Sequence, residues 1–249
     1  MKSPRFACMV IYASAVFFLT SCGGGGEKTT STDTTATTTD TTSMNPATAA
    51  NTIITSPQNM MIIKHKVADF AKWKPAYDGH DSARLADGLH SYVIARGMQD
   101  SNMILVALKA DDVTKAKAFA KDPGLKAAMK KGGVTGAPSI SFITMVFQDT
   151  AVISSDIRSE ATFKVKDWNA WQQAFEANDA KQERMDNGLT VRAYGHDADD
   201  DHKVTVVTAV LDSAKAYAYW KSDMLKKRRE AGGVTGTTER FVFRVVQRY

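Results

Sequence analysis

The chain has 249 residues, and its hydrophobic fraction of 43% is sufficient for the buried core of one large domain or of two ordinary ones. Its formal charge of +5 comes from 32 Lys and Arg against 27 Asp and Glu, a balance too mild to indicate a nucleic-acid partner. The two cysteines, Cys8 and Cys22, lie near the N-terminus, so disulfides, thiolate catalysis and cysteine metal sites are not expected in the rest of the chain.

The N-terminus has the layout of a secretory signal. Lys2 and Arg5 precede an apolar run at residues 6–19, which is shorter than the roughly 20 residues that a membrane-spanning helix needs. Residues 19–22 read Leu-Thr-Ser-Cys, which resembles the lipobox of bacterial lipoproteins. The resemblance implies that residues 1–21 are a cleaved signal peptide and that Cys22 is acylated. Acyl chains on Cys22 would anchor the protein to a membrane.

A segment without apolar periodicity follows. Residues 22–59 contain four consecutive glycines and a tract rich in threonine, a composition that predicts a disordered tether. A lipid-anchored protein on such a tether belongs to the cell envelope. We expect attachment to a bacterial membrane, at the outer membrane or cell surface rather than at the inner membrane.

An internal repeat organises the rest of the chain. The sequence Gly-Gly-Val-Thr-Gly at residues 132–136 recurs unchanged at residues 232–236, and other matches share this offset. Upstream the offset becomes 98, where Trp73 pairs with Trp171 and Tyr77 with Phe175. We therefore expect two tandem domains of one kind, at residues 60–150 and 151–249.

Each repeat has the pattern of a βαββαβ unit. In the first repeat, residues 61–67 predict a strand, and Asp69 is a candidate cap for a helix on which Phe70, Trp73, Tyr77, His80 and Arg84 fall at helical spacing. Residues 91–95 and 103–108 predict a hairpin, 112–131 a helix interrupted at 122–123, and 140–147 a last strand. This order predicts an α+β, ferredoxin-like unit with an antiparallel sheet and both helices on one face. Two such units can bury their uncovered sheet faces against each other, as a pseudo-dimeric α/β barrel within one chain.

Three stretches carry a family resemblance: residues 67–73, residues 115–129 and residues 133–140. They resemble small proteins of the dimeric α/β-barrel superfamily, which includes antibiotic-biosynthesis-monooxygenase-like proteins. The resemblance covers roughly residues 60–249 and rests on residues that shape the scaffold. It implies the fold, and it allows a cofactor-independent monooxygenase or a related small-molecule enzyme.

Three motifs have structural interpretations. The loop at residues 132–136 lacks the Lys-Ser or Lys-Thr of a phosphate-binding loop, and its glycines suit the end of a helix. Residues 196–202 are rich in Asp and His but lack the ligand spacing of an EF-hand, so a hairpin turn is favoured over a metal site. The basic residues 226–229 suit a solvated helix C-terminus. We expect neither a metal nor a cofactor.

A candidate ligand pocket emerges when the two repeats are compared. His65 lies on a strand face whose counterparts in the second repeat are wholly apolar, and Phe163 takes its place there. His80 is matched by Asn178. A position needed only for folding tends to keep its character in both repeats. We therefore predict a pocket between the first helix and the sheet of the first repeat, formed by His65, Trp73, Tyr77, His80 and Arg84, in which two imidazoles could bind or deprotonate a phenolic ligand.

Three hypotheses for function remain open. The first is a non-enzymatic module that binds a small apolar or aromatic molecule, because no nucleophile, base pair or ligand cluster is recognisable. The second is the monooxygenase-like enzyme that the resemblance allows, with no catalytic residues assigned. The third is a structural or interaction protein of the cell surface.

Overall fold

The computed structural model describes residues 51–249, which lie in one compact unit. The predicted signal peptide, Cys22 and most of the predicted tether lie outside the described residues. The first strand is already present at Ile53–Ile54, where it pairs with Asp149 and Gln148. The prediction that the tether extends to residue 59 is therefore wrong at its end, because backbone pairing draws the segment onto the sheet. None of the helices described here is long and apolar enough to span a membrane.

Each repeat contains one βαββαβ unit, and each of its two predicted helices is divided in two. The first repeat consists of β1 (Ile53–Ile54), β2 (Gln58–Val67), α1 (Phe70–Asp78), α2 (Asp81–Ala86), β3 (Leu89–Gly97), β4 (Met103–Ala110), α3 (Val113–Phe119), α4 (Pro123–Lys131) and β5 (Val134–Asp149). The second consists of β6 (Ile157–Val165), α5 (Trp168–Glu176), α6 (Asn178–Asp186), β7 (Leu189–Asp197), β8 (Lys203–Val210), α7 (Ser213–Trp220), α8 (Asp223–Ala231) and β9 (Val234–Arg248).

The first predicted helix is not continuous from Phe70 to Arg84. It begins at the predicted cap, where the Asp69 carboxylate accepts hydrogen bonds from the backbone of Ala71 and Lys72. It stops at Gly79, and a new helix begins at Asp81. Glycine has a low helix propensity, which makes this position a natural break. The break separates His80 and Arg84 from the aromatic residues of α1.

The strands close into a barrel that both repeats share. Its order is β5-β2-β4-β3-β9-β6-β8-β7, and β7 pairs with β5 to complete the ring, while β1 lies along the end of β5. The last strand of each βαββαβ unit thus pairs with the second strand of the other unit, β5 with β7 and β9 with β3. The predicted α+β pseudo-dimeric barrel is confirmed. The two sheets are also hydrogen-bonded to each other along two seams, which are the β5–β7 and β3–β9 pairings.

Alternation along the strands separates two apolar regions. In β2, Met60 and Ile62 point into the barrel, whereas Met61, Ile63 and His65 point toward the helices. The helix-facing core of the first repeat contains Trp73, Leu89, Ile94, Ile104, Leu108 and Phe119. The barrel core contains Val93, Leu105, Ala107, Ile143, Met145 and Phe243. Cavities can therefore form in two kinds of place, under the helices and inside the barrel.

The β5–β7 seam depends on a glycine. A Cβ atom at Gly195 would collide with the carbonyl oxygen of Thr144 and with the Cα atom of Met145. The equivalent residue at the β3–β9 seam is Ala95, which is fully buried and pairs with Val245. The two seams therefore differ in how closely their backbones approach.

Candidate functional site

His65 is the most unusual side chain of the helix-facing core. It is 4% exposed, and neither ring nitrogen has a hydrogen-bond partner among the described residues. Burial lowers the pKa of His65 to about 4, so the imidazole is neutral at neutral pH. An unpaired buried polar group costs about 1–3 kcal/mol. A water molecule or a ligand group that donates to one ring nitrogen would remove this cost.

An aromatic row from α1 lies beside this imidazole. The ring centroid of Trp73 is 5.5 Å from that of His65 and 5.1 Å from that of Tyr77, on which it stacks. The Tyr77 hydroxyl is 2.7 Å from Ser91 Oγ, and burial raises the pKa of Tyr77. The phenol is therefore neutral as well. The row provides flat apolar surface next to one polar edge.

The five residues predicted from the sequence line a single cavity. It lies between β2 and the helices of the first repeat and has a volume of about 50 Å³. Its remaining walls are apolar and include Val106, Leu108, Phe119, Leu125 and Met129. A water molecule needs about 10–15 Å³ of such space, so the cavity has room for a few waters or a small chemical group.

Arg84 has a structural role that the repeat comparison reveals. Its guanidinium lies 3.8 Å from the ring centroid of Tyr77, and Nη1 donates to the Tyr77 carbonyl at 2.7 Å. Arg184 lies 4.0 Å from the ring centroid of Phe175 and donates to the Phe175 carbonyl at 2.8 Å. Because both repeats make the same contacts, the arginine fixes the second helix against the first. This equivalence is visible in the sequence at the offset of 100.

His80 lies at the edge of the cavity. It precedes α2 without capping it through its side chain, and its ring centroid is 6.2 Å from that of Phe119. The side chain is only partly buried. Of the two predicted imidazoles, His65 is thus the internal one and His80 is accessible from outside.

The second repeat has a cavity in the equivalent place, which the sequence did not predict. Its volume is about 100 Å³. Arg240 lies 4.3 Å from the ring centroid of Trp220 and donates to Ser159 Oγ at 2.7 Å, whereas the Tyr219 hydroxyl donates to Glu183 at 2.6 Å. These polar groups have partners within the protein. The second cavity has no imidazole at the place of His65, although among the described residues Thr208 Oγ1 and Arg229 Nε in its wall are also buried without a hydrogen-bond partner.

A larger cavity of about 550 Å³ occupies one end of the barrel. It was also missed, because its lining comes from both repeats and from the segment that joins them. Three arginines of the second repeat belong to it or to its rim: Arg158, Arg192 and Arg248. No periodic pattern within one repeat brings these positions together.

The acidic turn at residues 196–202 contains a cluster of possible ligands. Single ligand atoms of Asp200, Asp201 and His202 lie within 4.8 Å of one another. Asp201 and His202 are exposed and form an ion pair at 2.9 Å when the imidazole is protonated. Exposed acidic turns of this kind are common without an ion, and the cluster does not define a site.

The strand order and the likeness to solved structures define the fold: the chain has the ferredoxin-like, dimeric α/β-barrel architecture, with both halves of the barrel in one polypeptide. Among solved structures, it is similar to a proposed monooxygenase from Fusobacterium nucleatum, with 12% identity, a TM-score of 0.51, and coverage of 78% of this chain and 94% of that one.

An anthrone oxidase-like protein matches with 14% identity, a TM-score of 0.52 and the same two coverages. A proposed monooxygenase from Lactobacillus acidophilus matches with 11% identity, a TM-score of 0.50, and coverage of 76% and 94%. At these identities the likeness concerns the fold. No protein-family model and no curated protein matches the chain.

Proposed function

We propose that the protein is a small-molecule-binding module of the cell envelope and that its ligand is a small aromatic molecule carrying a hydroxyl group. The observation that carries this proposal is the unpartnered imidazole of His65 in an apolar cavity. A ligand hydroxyl would donate to one ring nitrogen, and the ligand ring would contact Trp73 and Tyr77. Binding would remove the cost of leaving the imidazole unpaired.

The acidity of the two groups favours binding over proton abstraction. A phenol has a pKa of about 10, whereas the pKa of His65 is about 4. Proton transfer across about six pKa units costs roughly 8 kcal/mol. A neutral imidazole next to a neutral phenol instead forms an ordinary hydrogen bond.

The cavity must enlarge before a whole aromatic ligand can enter it. A space of about 50 Å³ admits the hydroxyl end of a ligand but not a whole ring. Met129 of α4 forms part of the wall and is partly exposed. Because methionine is unbranched and flexible, rotation of this side chain is the simplest way to enlarge the cavity toward solvent.

A second candidate function is a cofactor-independent, monooxygenase-like activity. It is supported by the fold shared with proteins described as proposed monooxygenases and as anthrone oxidase-like. Such an activity needs a base in the cavity, and His80 is the imidazole of the cavity wall that is only partly buried. Oxygen uptake by the purified protein in the presence of anthrone would support it, with His80→Asn as the variant that should lose the activity.

Location forms part of the proposal. The signal-like leader and the lipobox-like residues 19–22 support export and acylation at Cys22, and thereby attachment to a bacterial membrane. The outer membrane or the cell surface is favoured. In this arrangement the partners are the lipid anchor and a small ligand.

Calorimetry with matched ligands tests the binding proposal. The full chain carrying Cys22→Ser would be titrated with phenol and with toluene, which have similar shapes and differ in the hydroxyl. Phenol should bind more tightly, and His65→Phe, which introduces the residue of the second repeat, should remove the difference. Phe163→His serves as the reciprocal variant and leaves the first cavity intact. Equal binding of phenol by wild type and His65→Phe would refute the site.

A further inference from the structure

The cavity at the end of the barrel combines an apolar floor with a basic rim. Its floor comes from side chains that point into the barrel: Met60, Ile62, Leu105, Val207 and Phe243. The segment at residues 150–156, which joins the repeats, and the last residues of the chain complete the walls. A volume of about 550 Å³ falls within the usual range of about 300–1,000 Å³ for small-molecule sites.

Arg158 is the more deeply buried of two buried arginines that line this cavity, the other being Arg192. Arg158 is 4% exposed, and its Nη1 donates to the carbonyl oxygens of Ser155 and Ile157 at 2.8 and 2.9 Å. Burial, with further contributions from Arg248 and Arg192, lowers the pKa of Arg158 to about 10, so it remains charged at neutral pH. Within residues 51–249 it makes no ion pair with a carboxylate.

The acidic side chains that line the cavity are already engaged. Asp149 accepts from Arg192 at 2.7 Å, Glu160 from Lys64 at 2.7 Å, and Asp156 from Arg244 at 2.7 Å. Arg158 and the exposed Arg248 are therefore left in excess within the described part of the chain. Buried charges are normally paired, so an excess of positive charge next to an apolar floor favours an anion from outside the chain.

Comparison of the repeats shows that the barrel does not need these arginines. The positions equivalent to Arg158, Arg192 and Arg248 in the first repeat are Met60, Tyr92 and Gln148. These three neutral side chains occupy the same end of the same barrel. A guanidinium group at these places is thus a property of the second repeat alone, as expected of a binding function rather than a folding requirement.

We propose that this barrel-end cavity binds an amphiphile with a small anionic head and an alkyl tail, such as a medium-chain fatty acid. The head contacts Arg158 and Arg248, whose guanidinium groups match the geometry of carboxylate and phosphate. The tail lies on the floor, whose side chains are mostly aliphatic and suit a flexible chain better than a flat ring. This site is separate from the His65 cavity and does not depend on the function proposed for it.

Calorimetry with four probes tests the proposal on the full chain carrying Cys22→Ser. Decanoate should bind at one site per chain, at least tenfold more tightly than decanol, which lacks the charge, and acetate, which lacks the tail, should not bind measurably. Decyl phosphate carries a phosphate head in place of the carboxylate of decanoate. Whichever of these two anions binds more tightly identifies the head group that the site prefers. Decanoate affinity no greater than that of decanol would overturn the proposal.

Variants locate the binding. Arg158→Met introduces the first-repeat residue and should weaken decanoate at least tenfold while leaving decanol unchanged. Arg248→Gln likewise introduces the first-repeat residue and should also weaken decanoate binding. Because Arg248 is exposed, this variant keeps the test valid if Arg158→Met does not fold. The control is Lys181→Met, which removes the same charge from the exposed face of α6. Unchanged decanoate affinity in Arg248→Gln and Arg158→Met, or an equal loss in Lys181→Met, would refute the site. His65→Phe should bind decanoate as wild type does.

Discussion

His65 in β2 and Phe163 in β6 occupy equivalent positions, yet only the first is polar, buried and without a hydrogen-bond partner. The barrel therefore accepts an apolar ring at this place. We predict that His65→Phe raises the free energy of unfolding at pH 7 by about 1–3 kcal/mol, because the variant removes an unpaired buried polar group. Urea denaturation measures this, and a loss of stability would show that the imidazole is needed for folding.

We also predict that His65→Phe changes the pH dependence of the free energy of unfolding. A histidine in the unfolded chain titrates near pH 6.5, whereas folded His65 titrates near 4, so between these values the unfolded chain binds more protons. The titration of His65 therefore leaves the free energy of unfolding unchanged above pH 6.5 and lowers it by roughly 3 kcal/mol as the pH falls from 6.5 to 4. His65→Phe should lack this decline, and parallel curves for both proteins from pH 7 to 4 would contradict the assignment.

Arg84 and Arg184 should be equally important for stability. Each guanidinium packs on an aromatic ring and donates to the carbonyl of that residue. Arg84→Met and Arg184→Met should each lower the free energy of unfolding by about 1–3 kcal/mol. Thermal denaturation compares the two. If Arg84→Met reduced the magnitude of the free energy of phenol binding much more than the free energy of unfolding, Arg84 would have to be assigned a role in ligand binding.

The β5–β7 seam should be sensitive to a single methyl group. Gly195→Ala places a Cβ atom against the Thr144 carbonyl, so we expect a loss on the order of 3 kcal/mol. Ala95→Gly at the other seam removes a methyl group without a collision and should cost about 1 kcal/mol. Chemical denaturation measures the loss in both variants. A larger loss in Gly195→Ala indicates close backbone approach at the β5–β7 seam, whereas equal losses would indicate that the barrel is generally intolerant of substitution.

Neither repeat should be stable by itself. A fragment of residues 51–150 loses the partners of β3 and β5 and exposes the barrel face of its sheet. We expect it to self-associate, and analytical ultracentrifugation measures this. A monomeric fragment that unfolds at the same urea concentration as the pair would contradict the shared core.

Anchoring should depend on Cys22. Cys22→Ser should move the protein from the membrane fraction to the soluble fraction, or leave an unprocessed precursor, because the acylated side chain is missing. Cys8→Ser is the matched control and should change neither processing nor fractionation. Membrane attachment of Cys22→Ser equal to that of wild type would refute lipidation.

The sequence predicted the fold because the repeat appears twice and each of its elements is periodic. The helix break at Gly79 was missed because Phe70, Trp73, Tyr77, His80 and Arg84 keep helical spacing across it. The start of the folded body was placed too late, because Ile53–Ile54 joins the sheet through backbone hydrogen bonds that leave no periodic signal.

The sequence also indicated which residues surround the first cavity, since strand alternation places His65 on the helix side. It gave no indication of the barrel-end cavity. That site brings together side chains from β6, β7 and β9 with the segment at residues 150–156, so its composition follows from barrel closure and not from any local pattern.

Because the two repeats are covalently connected, the side chains near the pseudo-twofold axis of the barrel need not be the same in both halves. In a homodimer, every residue near the twofold axis faces its own copy, so Arg158, Arg192 and Arg248 would meet an identical set, and mutual repulsion would oppose assembly. A single chain escapes this restriction, because Met60, Tyr92 and Gln148 stand opposite instead. Fusion thus allows a one-sided chemistry at a place where symmetry would require two equal halves.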